Sequence, residues 1–266
     1  MQQAEDFLAE SEALFGLLKD LPESDFERAT EFKGWTLNNV IRHLHVWNLA
    51  ADLSLTDEAG FDAFYEKVGA NNSGGLPAFE EAYLDGIAGP ALLSIWRDAY
   101  QAVAEHFRHA DPSQRVKWAG PSMSARSSIT ARLMETWAHG QEVYDELGVV
   151  RRNADRIRNI VVLGNNTYGW TYAVRGEEPP SPVPHLVLTA PSGEVWTYNE
   201  PSETERIEGL AEEFCQVVTQ VRNIADTELK VTGNIATDWM TKAQCFAGPP
   251  ETPPAPGVRR TRALNA

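Results

Sequence analysis

The fold is decided by residues 131–148, ARLMETWAHGQEVYDELG. The pattern predicts a helix that begins near Ser127 and ends at Gly148, because glycine readily adopts the left-handed conformation that closes a helix. At about 100° per residue, polar side chains spaced by three or four positions share one narrow strip of such a helix. Four residues fall on this strip, namely Glu135, His139, Glu142 and Glu146.

The polar strip has two interpretations. An acidic strip with one histidine is typical of a helix face in contact with water, and the pattern by itself favours that interpretation. However, apolar residues flank the strip in its first turns at Ala131, Met134 and Ala138. A buried helix could therefore point the strip at an internal site, where Glu135 and His139, four residues apart, can meet one metal ion from successive turns.

The segments around this helix predict a helical bundle over residues 1–176. A first helix precedes Pro22, a second follows Thr36 as its N-terminal cap, and a third covers about 91–107. A fifth helical pattern runs from about 154 to 173. Helices joined by short connections are typical of a bundle, so the fold class is mainly α in this part of the chain.

The pattern changes after residues 177–184, EEPPSPVP, in which four of the last six residues are proline. Such a segment cannot continue a helix and suits a semi-rigid linker. The sequence beyond it predicts a small α+β domain at 185–248, with two strands (HLVLTA and EVWTYN), a helix at 203–223, a short strand and a last helix. Residues 249–266 are rich in proline and then basic, which predicts an extended tail.

Composition narrows the classes of function. The chain has 266 residues and a formal net charge of -15, which disfavours nucleic acid and anionic membranes as partners. Two cysteines, Cys215 and Cys245, make no disulfide framework. The N-terminal residues lack the features of a signal peptide, and no apolar run approaches the length of a bilayer span. A cytoplasmic protein with a small-molecule substrate is the expectation.

A metal site would need a third ligand from another helix. His43 and His45 lie at opposite edges of the apolar stripe of the second helix, so periodicity does not choose between them. His106 and His109 close the third helix, where an imidazole near the negative helix end is the simpler explanation. His185 opens the second domain and is interpreted as a surface residue.

Two motifs resemble those of a known family. Residues 34–47, GWTLNNVIRHLHVW, have a histidine eight residues after Trp35 and resemble the first motif of the DinB/YfiT-like metalloenzyme superfamily. Within it they are most similar to the mycothiol-dependent maleylpyruvate isomerase N-terminal domain. Residues 131–143 resemble that family's second motif. The resemblance implies a DinB-like four-helix bundle that holds a divalent metal, zinc or nickel, through His43, Glu135 and His139.

The resemblance extends to residues 208–250, which are similar to a C-terminal region described as a wyosine-base-formation-like domain. A role in tRNA modification conflicts with the charge of -15 and with the lack of an iron–sulfur cysteine cluster. We therefore keep the description for the domain and not for its function.

The family also implies roles for two further residues. An arginine of the C-terminal domain is thought to bind the substrate acid in the isomerase, and its nearest counterpart is Arg222; the alternative is a cation at a helix C-terminus. Glu142 stands where the family often has aspartate, three residues after His139. It could orient His139 or be one more solvated carboxylate.

Three functions follow as hypotheses. The first is a metal-dependent enzyme, a thiol-dependent isomerase or transferase that acts on a small acidic substrate with a low-molecular-weight thiol such as mycothiol. The second is a metal-containing small-molecule binding protein without catalysis. The third is a metal-free scaffold, which requires the polar strip to face solvent. Trp47 could line the pocket or pack in the core, and relatives include both monomers and homodimers.

Overall fold

The computed structural model describes residues 1–70 and 74–262. The chain divides into two compact units, Met1–Leu147 and Gly148–Ala266. The sequence pattern predicts this boundary at residue 176 instead. The division falls earlier because Gly148, with a φ of +67°, ends the helix before it. The helix after it belongs to the second unit, where Gly164 lies against Phe214 and Val218.

The described residues of the first unit form six α-helices, a single-turn 3-10 helix at Glu23–Glu27 and a minimal hairpin. The helices are α1 (Gln2–Leu18), α2 (Leu37–Thr56), α3 (Glu58–Ala70), α4 (Gly75–Tyr83), α5 (Gly89–His109) and α6 (Ala125–Glu146). The hairpin pairs β1 (Arg115–Val116) with β2 (Met123–Ser124). The four long helices α1, α2, α5 and α6 pack on one another, which confirms the predicted bundle. Its centre is filled by large side chains without exposure to solvent, among them Trp96, Trp137 and Phe107.

The two helices that carry the motifs begin at side-chain caps. Thr36 Oγ1 accepts a hydrogen bond from the backbone N–H of Asn39, and the Asn39 side chain accepts one from the backbone N–H of Thr36. This reciprocal pair satisfies two N–H groups that an uncapped α2 would leave unpaired, and it confirms the predicted cap. Ser124 caps α6, because its Oγ accepts a hydrogen bond from the backbone N–H of Ser127.

Helices α3 and α4 were not anticipated. Their aromatic residues Phe61, Phe64 and Phe79 pack with Trp47 of α2 in one buried cluster. Burial of these rings holds α4 against α2 and thereby carries the neighbour of Phe79, Glu80, into the bundle. The core position of Trp47 agrees with the packing role considered for it.

The second unit combines a mixed sheet with short helices, which confirms the expected α+β class. Its elements are α7 (Arg158–Asn166), α8 (Tyr168–Ala173), β3 (His185–Thr189), β4 (Val195–Tyr198), β5 (Arg206–Leu210), α9 (Ala211–Val218), β6 (Lys230–Thr232) and α10 (Asn234–Met240). The sheet order is β4-β3-β5-β6; β3 and β5 run parallel, and the outer pairs are antiparallel.

Three details of the second unit differ from the sequence analysis. The helix predicted at 203–223 is a strand over its first part, because Ile207 pairs with Leu186 on one side and Val231 on the other. Gly209 there has a φ of +146°, which is incompatible with a helix. The pattern at 154–173 is broken into α7 and α8, and His185 is buried at the start of β3.

Residues 249–262 of the predicted tail form no helix or strand but are fixed by hydrogen bonds within the second unit. The carbonyl oxygen of Glu251 accepts from Arg175 Nη2 at 2.7 Å, and Asn223 Nδ2 donates to the Pro254 carbonyl at 2.8 Å. Residues 263–266 of this tail lie outside the described residues. Among the described helices, none has both the length and the hydrophobicity that crossing a bilayer requires.

Candidate metal centre

Three side chains named by the two motifs meet inside the first unit. His43 comes from α2, and Glu135 and His139 come from successive turns of α6. Glu135 Oε2 lies 3.3 Å from His139 Nε2 and 3.8 Å from His43 Nε2. One potential ligand atom from each residue falls within 4.8 Å of the others, so a single ion could contact all three.

The polar strip of α6 is buried. Glu142 is 2% exposed, Glu146 is 6% exposed and His139 is 9% exposed. Glu135 is the most accessible, with 21% of its side chain exposed. The solvated interpretation of the strip is therefore wrong, and so is the hypothesis of a scaffold that turns this strip to solvent. The period of a single helix cannot show this, because the packing of α1 and α2 on α6 decides which faces are covered.

Glu80 of α4 contacts the ring nitrogen of His43 that lies opposite the one facing Glu135. Its Oε1 lies 2.7 Å from His43 Nδ1 and accepts a hydrogen bond from Trp47 Nε1 at 2.9 Å. Glu80 has no exposure to solvent. With Nδ1 held by this carboxylate, His43 turns Nε2 toward Glu135. Sequence analysis missed Glu80; the only available signal was its place beside Phe79 on a short amphipathic segment.

The other histidines are placed elsewhere. His45 is buried, and its Nδ1 has no hydrogen-bond partner among the described residues. Burial lowers the pKa of His45 to about 4, which keeps this imidazole neutral. His106 pairs with Asp52 at 2.7 Å, and His109 pairs with Glu105 at 2.9 Å, both on the surface. Of the two α2 histidines that periodicity left open, only His43 belongs to the cluster.

At the three clustered residues, burial and the neighbouring charged groups shift the pKa values in opposite directions. Burial alone would raise the pKa of Glu135, but hydrogen bonds from His139 and His43 hold it well below its usual value. Burial lowers the pKa of His139 despite the hydrogen bond to Glu135. Burial would also lower the pKa of His43, yet the charges of Glu80 and Glu135 raise it to about 9. The cluster therefore holds Glu135 as an anion, the form that a metal ion requires.

Arg132 supplies a buried positive charge one turn before Glu135. It is 2% exposed, and its Nε donates to Asn48 Oδ1 at 2.9 Å. Its Nη2 is buried without a hydrogen-bond partner among the described residues. Burial lowers the pKa of Arg132 to about 10, and the charges of Glu135 and Glu80 oppose that fall. Sequence analysis missed Arg132 because one arginine in a helix carries no local signal.

A turn before α2 places two aromatic rings against the cluster. The Trp35 ring stacks on His139 with a centroid distance of 5.5 Å and an interplanar angle of 5°. Phe32 meets the same imidazole edge-on at 5.1 Å. The turn between them needs positive φ at Lys33 (+53°) and Gly34 (+70°), and it is closed by a hydrogen bond from Thr30 N to Trp35 O. These rings shield His139 from water.

The two residues assigned to catalysis are both buried. Glu142 lies on α6 beyond His139. Arg222 belongs to the second unit, where its Nη1 donates to the Val221 carbonyl oxygen at 2.9 Å. Their catalytic roles stay predictions.

The donor set of the cluster fits a divalent transition metal. Two imidazole nitrogens and one carboxylate are the ligands of many catalytic zinc sites, which keep a further position for water or substrate. The carboxylate behind His43 matches the hydrogen bonding that metal-binding histidines usually receive at their second nitrogen. Nickel would accept the same ligands.

Comparison with known proteins identifies relatives over most of the chain. Residues 7–144 match the mycothiol maleylpyruvate isomerase N-terminal domain family. Two proteins of Mycobacterium tuberculosis, from strains CDC 1551 / Oshkosh and ATCC 25618 / H37Rv, are both described as uncharacterized. Each is 38% identical over 246 residues, which cover 92% of this chain and 95% of the relative.

Two solved structures share the fold. The crystal structure of the mycothiol-dependent maleylpyruvate isomerase matches with a TM-score of 0.53 and 17% identity. A histidine-to-alanine mutant of that enzyme matches with a TM-score of 0.52 and 16% identity. Both alignments cover 81% of this chain and 87% of the other chain.

Proposed function

The chain belongs to the mycothiol maleylpyruvate isomerase N-terminal domain family, and from this we propose that it is a metal-dependent enzyme. It would catalyse a thiol-dependent isomerisation or transfer on a small acidic substrate. The observation that carries this proposal is the meeting of His43, Glu135 and His139 within 4.8 Å inside the bundle. Zinc is the metal we favour, with nickel as the second choice.

Different residues of the first unit would bind the ion, compensate buried charge and exclude water. His43 Nε2, His139 Nε2 and a Glu135 oxygen would hold the ion. A divalent metal there supplies Lewis acidity, which can lower the pKa of a bound thiol or water or polarise a carbonyl. Arg132 would balance the buried negative charges of Glu80 and Glu135, and Trp35 with Phe32 would keep water away from His139.

The thiol in this reaction would come from a separate molecule. The two cysteines of the chain, Cys215 and Cys245, are both buried and belong to the second unit. Burial raises the pKa of Cys215 well above its usual value, which keeps it a protonated, poor nucleophile. The family relationship favours mycothiol as the thiol.

Glu142 would orient His139 or assist proton transfer. The substrate would carry a carboxylate, and Arg222 would bind it. Arginine suits a carboxylate because it can donate two parallel hydrogen bonds.

Elemental analysis of the purified protein tests the proposal directly. We expect near one equivalent of transition metal in the wild type and its loss in Glu135→Ala, with His45→Ala as the matched control that keeps the metal. Turnover of an acidic substrate by the zinc-loaded protein with mycothiol would then separate an enzyme from a metal-containing binding protein. A wild type that stays free of metal after reconstitution with zinc and nickel would refute the metal site.

A further inference from the structure

We propose that Glu80 is a positioning residue of the metal centre, and that its negative charge as well as its hydrogen bond is required for tight metal binding. This inference rests on the proposed function, since it assigns Glu80 a task at the same site. Glu80 would act through His43 and would not contact the metal.

The geometry limits what Glu80 can do. Its Oε1 lies 2.7 Å from His43 Nδ1, and the opposite nitrogen of that ring, Nε2, faces Glu135. Glu80 therefore sits on the far side of the imidazole from the cluster. A carboxylate at this nitrogen orients the ring and increases the electron density at Nε2, which strengthens His43 as a ligand.

Trp47 fixes the carboxylate in turn. Its Nε1 donates to the same oxygen at 2.9 Å, and its ring is packed edge-on against Phe64 in the aromatic cluster. Trp47 and His43 are four residues apart on α2, so one helix presents both donors to Glu80. The position of Oε1 thus follows from the packed core, and the orientation of His43 follows from Oε1.

A purely structural role would not need the charge. Both donors use Oε1, and Oε2 is buried without a hydrogen-bond partner among the described residues. A neutral amide oxygen of glutamine could accept the same two hydrogen bonds. A buried carboxylate has a large desolvation cost, which positive charge nearby must offset. Arg132 supplies part of that charge, and a metal ion held by His43 would supply more, on the far side of the ring that Glu80 contacts.

The experiment compares Glu80→Gln with Glu81→Gln in the full-length protein. Glu81 is the next residue of α4; it pairs with Arg42, and 56% of its side chain is exposed, so its substitution removes one surface charge from the same helix. The affinity for Zn²⁺ is measured by competition with a chromophoric chelator. We expect Glu80→Gln to weaken it about 10- to 100-fold, the range found for such outer partners of metal ligands. Glu81→Gln should stay within about twofold.

Two further measurements separate positioning from stability. The absorption spectrum of the Co²⁺-loaded protein should change in Glu80→Gln, because the ligand field reports on His43, and should stay unchanged in Glu81→Gln. Glu80→Asp, which keeps the charge, should recover part of the lost affinity. If Glu80→Gln does not fold, Trp47→Phe frees Oε1 from one of its two donors and should alter the Co²⁺ spectrum.

Equal Zn²⁺ affinity and identical Co²⁺ spectra in Glu80→Gln and the wild type would overturn the inference and leave the proposed function standing. An unaltered Co²⁺ spectrum in Trp47→Phe, where that variant is needed, would overturn it as well. A wild-type protein that binds neither Zn²⁺ nor Co²⁺ would overturn both the inference and the proposed function.

Discussion

His139 Nε2 lies 3.3 Å from Oε2 of Glu135, the residue one turn earlier on the same helix. In water such a pair contributes little, but here the bundle covers His139 and α2 adds a second imidazole. As a result, potential ligand atoms of His43, Glu135 and His139 lie close together inside the bundle.

Replacement of the two histidines of α2 should have opposite consequences. His43→Ala removes one of the three clustered side chains and should abolish stoichiometric zinc. His45→Ala should leave the zinc content unchanged, because its imidazole does not join the cluster. Elemental analysis after dialysis gives the answer. If His45→Ala loses its zinc and His43→Ala keeps it, the wrong histidine of α2 has been assigned.

Arg132→Met should destabilise the metal-free first unit strongly. The substitution removes a buried positive charge beside Glu80 and Glu135, and such a change costs about 3–5 kcal/mol in the free energy of unfolding. Arg132→Lys retains the charge and should cost less. Urea unfolding of the metal-free variants measures both, and saturating zinc should restore part of the stability of Arg132→Met. Equal stability of the two variants would contradict an electrostatic role.

Trp35 should report metal binding through its fluorescence. Its ring is stacked on the imidazole of His139, a proposed ligand, so binding of Co²⁺ or Ni²⁺ should quench it efficiently. Trp35→Phe should lose a large part of that quenching and still bind the ion. Trp170→Phe, which changes a tryptophan of the second unit, is the matched control. Full quenching in Trp35→Phe would argue that the ion binds elsewhere.

Neither cysteine should react with iodoacetamide in the native protein at neutral pH. Cys215 has no exposure, its Sγ donates to the Ile157 carbonyl oxygen at 3.7 Å, and burial raises its pKa. A thiol must ionise to react, so raising the pH above the usual thiol pKa should still give little modification while the fold persists. Mass spectrometry should show two adducts only after unfolding in urea. Rapid native labelling would reopen the possibility of a protein thiol in the reaction.

Arg222→Ala should keep its zinc and weaken the binding of a small dicarboxylate. Loss of a charge-assisted hydrogen-bonded pair corresponds to about a 10- to 100-fold change in affinity. Arg222→Lys should fall between the wild type and Arg222→Ala, because lysine keeps the charge but not the forked geometry. Calorimetric titration of the zinc-loaded proteins measures the difference, and equal affinities would remove Arg222 from the site.

Much of the helical unit can be predicted because its signals are local. The cap at Thr36, the apolar stripe of α2 and the glycine at 148 each act within a few residues, so the sequence indicates where α2 and α6 lie. The strand at 206–210 could not be predicted in this way. Its apolar residues also fit a helical period, and only pairing with β3 and β6 makes it extended.

By itself, the sequence determined the four long helices of the bundle, the placement of Glu135 and His139 on one strip of α6, and the presence of two candidate histidines on α2. The tertiary structure decided that the strip is buried, that His43 and not His45 turns toward it, and that Glu80 and Arg132 surround it with buried charge. The physical reason is the distance along the chain over which each interaction acts. Capping and periodicity act within a few residues along the chain, whereas burial and charge pairing depend on helices that are distant in sequence and meet only when the bundle packs.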